Sequence, residues 1–109
     1  MTTLNTIERA NLAHDAITFK QLIDNLARAW NMSPTEAQLD RVGRTLKLLR
    51  QIAEDALELT QGRSGFWRAA GQAAAELSRL RWSDNWATDE AWLTLRSWNE
   101  TLSSTEEGE

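Results

Sequence analysis

Backbone breakers are scarce in this chain, and their placement constrains the fold more than any other feature. The 109 residues hold one proline, Pro34, and five glycines. Proline removes a backbone donor and glycine adds backbone freedom, so long stretches with neither favour uninterrupted helix. Between the breaks, apolar residues recur at spacings of three and four, the period of a helix with one buried face. The pattern reads as all-α: a small helical bundle of three long helices plus a shorter, tryptophan-rich C-terminal helix, antiparallel through short connections.

From Leu4 to Trp30 the apolar seam is Leu12, Ala16, Phe19, Ile23, Leu26 and Trp30. It should stop at NMSP, where Asn31 can terminate one helix, Ser33 can cap the next and Pro34 suits a first helical position. The second segment, Pro34 to about Gln61, carries Leu39, Val42, Leu46, Leu49, Ala53, Ala56 and Thr60, with Leu48, Ile52 and Leu59 rotated onto a second face. Two apolar faces predict a central helix with neighbours on both sides. In TQGRSG, Gly62 supplies a left-handed terminator and Ser64 a cap for a third helix, Gly65 to Trp82, whose seam of Phe66, Ala70, Ala73, Leu77 and Leu80 is small enough for close helix approach. Thr88, Asp89 and Glu90 then begin a fourth helix with the face Ala91, Leu95, Trp98 and Leu102. Residues 1–103 thus form one helical domain, and 104–109, STEEGE, read as a disordered acidic tail.

A net charge of -4 gives no basic footprint for nucleic acid. Without cysteine there is no disulfide, thiolate or cysteine metal site, and the lone His14 has no ligand partners at suitable spacing. No cofactor or metal is expected. Glu54, Asp55 and Glu58 lie on a polar arc without a partner base, which fits a solvated face better than acid/base chemistry. No apolar run reaches the length of a membrane span, and MTTLNTIERANLAHD lacks the basic and apolar regions of a signal peptide, so the expected location is the cytoplasm.

The tryptophans carry the functional question. Trp82, Trp86, Trp92 and Trp98 together represent roughly 600–1,000 Å² if fully buried, more than a monomer usually leaves in one exposed patch. Trp82 falls away from the third helix's seam, Trp67 sits at its edge beside Gly71, and Leu93 lies off the fourth helix's seam near Arg96. Tryptophan and arginine dominate binding hot spots. Trp67, Trp82, Trp86, Leu93 and Arg96 are therefore the candidate protein-binding residues. They suggest a non-catalytic regulator, an inhibitor, antiactivator or assembly chaperone, whose partner is another protein such as a transcriptional regulator or an enzyme, or a second copy in a homodimer. A second surface lies opposite the first helix's seam: Ile7, Asn11, His14, Thr18, Gln21, Asn25, Arg28 and Met32 read either as an adjustable interface or as a solvated face.

The stretch LARAWNMSPTEAQLDRVG, Leu26 to Gly43, resembles a helix-turn-helix, with small Ala27, a turn at Asn31, apolar Met32 and Ser33 opening a second helix. The resemblance implies a DNA-binding regulator as the alternative function. It departs from the pattern at Asp40, where an apolar residue is usual, and at Glu36, an acid where phosphates would lie.

Overall fold

Each helix begins where a side chain takes up a backbone N–H that the first turn leaves unpaired. The computed structural model describes residues 5–28, 35–83 and 88–105, and within them four helices: α1 Thr6–Arg28, α2 Glu36–Thr60, α3 Gly65–Arg79 and α4 Glu90–Ser103. At α1, Asn5 Oδ1 accepts from the Glu8 N–H at 2.7 Å while the Asn5 N–H donates to Glu8 Oε1 at 3.1 Å. The same reciprocal box opens α2: Thr35 Oγ1 accepts from the Gln38 N–H, and the Thr35 N–H donates to Gln38 Oε1. Thr35 is therefore the cap of α2, two residues after Ser33, which with Pro34 lies outside the described residues. Ser64 caps α3 by accepting from the Trp67 N–H, and Asp89 caps α4 by accepting from Ala91.

The end of α2 needs two residues in the left-handed region. Gln61 and Gly62 have φ of 55° and 71°, and the Gly62 N–H donates to the Leu57 carbonyl, closing the helix before the chain reverses into α3. So short a connection can only join helices lying side by side in opposite directions. At that hairpin the approach is close: a Cβ on Gly71 would stand 2.7 Å from Leu57 Cδ1.

The helices form a ring in which α2 packs on α1 and α3, and α4 packs on the same two. α2 thus has neighbours on two sides, as expected, but in a ring it does not hold the central position expected for it. Its second face stays at the surface, with Leu48 and Leu59 exposed and Ile52 half-buried. The most enclosed helix is α3, which buries Phe66, Trp67, Ala70, Ala73, Ala74 and Leu77 within fifteen residues. The seams of α1, α2 and α4 supply the other walls, and Phe19 of α1 meets Phe66 and Trp67 edge-on at 6.3 and 6.0 Å between ring centroids. Such edge-to-face contacts add to area burial because ring edges are positive and faces negative. No buried side-chain polar atom among the described residues lacks a hydrogen-bond partner, as a well-made core requires.

The third helix stops at Arg79, three residues before the end its apolar pattern suggests. At Leu80 the backbone turns extended (φ -83°, ψ 153°), and Arg81 to Ser83 leave the helix axis. Beyond α4, the Ser104 and Thr105 N–H groups still donate to the carbonyls of Glu100 and Leu102, while residues 106–109 of the expected tail lie outside the described residues. No described helix is long and apolar enough to cross a membrane.

Candidate protein-binding surface

The tryptophans divide into three situations. Trp67 is a core residue, which removes it from the candidate contacts. Its place follows from the width of the buried arc of α3. With neighbours on two flanks, that arc runs from Ala73 round to Trp67, about 120° at 100° per residue, and so takes in a position one residue past the seam. There the ring packs edge-on against Phe66 at 5.0 Å.

Trp82 and Trp92 form a clasp between α3 and α4. Having left the helix, Trp82 folds back so that its Nε1–H donates to the Leu77 carbonyl at 3.1 Å, satisfying one of the last acceptors of α3. Trp92, fully buried, donates its Nε1–H to the Ser83 carbonyl at 2.9 Å. The two rings meet edge-on, 5.0 Å apart at 86°. Ser83 Oγ donates in turn to Asp89 Oδ2, the cap of α4. Trp82 is thus only half-buried, but its polar end is committed within the chain, and only part of its ring faces outward. Trp98, also half-buried, ties α4 to α3 by donating to Glu76 Oε2 at 3.2 Å. Trp30 and Trp86, the latter one of the candidate contacts, lie outside the described residues.

Leu93 and Arg96 stand on the outer arc of α4. Leu93 is 48% exposed on a helix whose Ala91, Trp92, Leu95 and Leu102 are buried. Arg96, one turn on, has 57% of its side chain exposed and lies 3.9 Å from Glu100. On α1 the stripe opposite the seam is exposed at Ile7, Asn11, His14, Gln21, Asn25 and Arg28 and half-buried at Thr18, and Ile7 and Ile17 are the exposed large apolar residues of that helix.

Other constellations are solvated. Glu54 faces Arg50 at 3.7 Å and Asp55 accepts from Gln51 at 2.9 Å, all exposed on α2. Among the described residues no group of His, Cys, Asp or Glu could hold a metal ion. In the helix-turn-helix comparison, the would-be reading helix runs for 25 residues and exposes Glu36 and Asp40 in its first turns. The chain matches no protein-family model, no curated protein and no solved structure.

Proposed function

We propose that the protein is a non-catalytic helical module that acts in the cytoplasm by binding another protein, as an inhibitor, antiactivator or assembly chaperone of a transcriptional regulator or enzyme. The observation that carries this reading is the outward Leu93 beside Arg96, on a helix that otherwise buries its large apolar residues or holds them half-buried. A leucine held at the surface by a rigid helix can enter a pocket on a partner with no loss of the chain's own packing, while Arg96 supplies a forked donor at the rim. DNA reading gains no support from an exposed acidic start of α2, because carboxylates there repel phosphates.

The test is capture from native extract by the wild-type chain, Leu93→Ala and Arg96→Ala. A common captured protein, held at least about fivefold less well by either variant at unchanged helical content, supports the reading, since a contact worth more than 1 kcal/mol changes affinity by that much. Equal capture by all three chains refutes this surface.

A further inference from the structure

We propose that the exposed face of α1 pairs antiparallel with the same face of a second copy of the chain. This goes beyond the α4 surface and stands on different residues. Ile7, Ala10, His14, Ile17 and Gln21 are all exposed, and their spacings of three, four, three and four residues are those of a helix-pairing stripe. The charged residues of this stretch, Glu8, Arg9, Asp15 and Lys20, point about 100° or more from the centre of the stripe at 100° per residue. For comparison, every charged residue of α2 is exposed. A helix face turned to water normally carries charge, whereas charge depletion is the compositional mark of an interface centre.

Charge and register together select the occupant. The chain carries a net charge of -4, so two copies repel each other in most orientations and meet at least cost through a face without charge. In a twofold arrangement each contact occurs twice. With the axis at the level of residue 12, Ile7 lies over Ile17 of the second copy, and Ala10 leaves room for His14 of the second copy. Asp24 and Arg28 then fall beyond the overlap. A parallel pair would set Asp24 against Asp24 and Arg28 against Arg28, and an antiparallel pair shifted by one heptad would bury Asp24 against Ile7. The antiparallel register about residue 12 is the one that matches both isoleucines without confining a charge.

An overlap of about three helical turns is a small interface, in the range below roughly 1,200 Å² where association is weak and reversible. Sedimentation from about 10 µM to 1 mM spans the corresponding dissociation constants. The wild-type chain should show a concentration-dependent dimer. Ile17→Glu should weaken it at least on the order of tenfold, whereas Leu93→Glu, the same gain of charge at an exposed apolar site on α4, should leave it unchanged. Ile7→Glu is a second variant that protects the fold, since an acid in the first turn of a helix is favourable there, and it should weaken the dimer likewise. A strictly monomeric wild-type chain, or a dimer that survives both Ile7→Glu and Ile17→Glu, overturns the proposal. Equal extract capture by the wild-type chain, Leu93→Ala and Arg96→Ala, with the dimer intact, would fail the α4 reading alone.

Discussion

Replacing Trp82 separates a clasp residue from a free interface anchor. A fully buried tryptophan truncated to alanine costs about 3–5 kcal/mol, and a half-buried one about half of that, 1.5–2.5 kcal/mol. Trp82→Ala also removes the donor to the Leu77 carbonyl, worth about 1 kcal/mol, and the edge-on contact with Trp92, worth about 0.5–1.5 kcal/mol. The total is about 3–5 kcal/mol, a large share of a stability of about 5–15 kcal/mol. Trp82→Phe retains a ring against Trp92 and loses chiefly the hydrogen bond, so its cost should be nearer 1–2 kcal/mol, on the order of one unmade bond. Urea denaturation followed by far-ultraviolet circular dichroism measures both, and Trp82→Ala should also lower the melting temperature by at least about 10 °C. If Trp82→Ala changed stability by under about 0.5 kcal/mol, the value typical of surface substitutions, the indole would not hold α3 to α4, and the clasp would be refuted.

Three further substitutions probe the backbone and its caps. Gly43→Ala, in the exposed interior of α2 where an added Cβ meets nothing within 4 Å, should stabilise the chain by about 0.8–1 kcal/mol through helix propensity; a neutral or lower midpoint in urea would contradict the placement of that residue. Gly62→Ala, at φ 71°, should cost about 1–2 kcal/mol because an L side chain is strained in the left-handed region, again read from the urea midpoint. Ser64→Ala deletes the acceptor of the Trp67 N–H and should cost about 1 kcal/mol, with Ser64→Asp recovering most of it as a check that the loss belongs to the cap.

The apolar seams were legible because a helix repeats its buried face faithfully. Phe19, Ile23 and Leu26 on α1, and Val42, Leu46, Leu49, Ala53 and Ala56 on α2, are all buried as their spacing requires. Two kinds of fact were less accessible. Spacing finds the centre of a buried arc but not its width, which depends on how many neighbours a helix has; for that reason Trp67 and Ala74, at the edge of the α3 seam, are buried, and Leu48 and Leu59 on α2 are not. Helix ends are decided by competing local hydrogen bonds, so α3 stops at Arg79 although Leu80 keeps the apolar period, and Trp82 turns back onto the Leu77 carbonyl. The Thr35 and Gln38 box was readable as a threonine followed three residues later by glutamine, a signal overshadowed by the adjacent Pro34.

A count of tryptophans is therefore a poor measure of unsatisfied surface in this chain. Of the four that the structure describes, Trp67 and Trp92 are buried, and Trp82 and Trp98 are half-buried with their N–H groups donating to backbone or side chain of the same chain. An indole that has both packed its ring and placed its proton offers a partner little. Among the described residues, the exposed large apolar side chains are smaller and sit on helix exteriors: Ile7 and Ile17 on α1, Leu48 and Leu59 on α2, and Leu93 on α4. What distinguishes them is their electrostatic setting. Leu48 and Leu59 lie on a helix whose charged residues are all exposed, where a partner would have to strip water from ions, whereas Ile7 and Ile17 share a face with alanines and uncharged polar groups that can be desolvated at smaller cost. Exposed apolar area favours association most where the surrounding charges do not oppose the removal of water, and by that criterion the face proposed on α1 would be desolvated at less cost than the second face of α2.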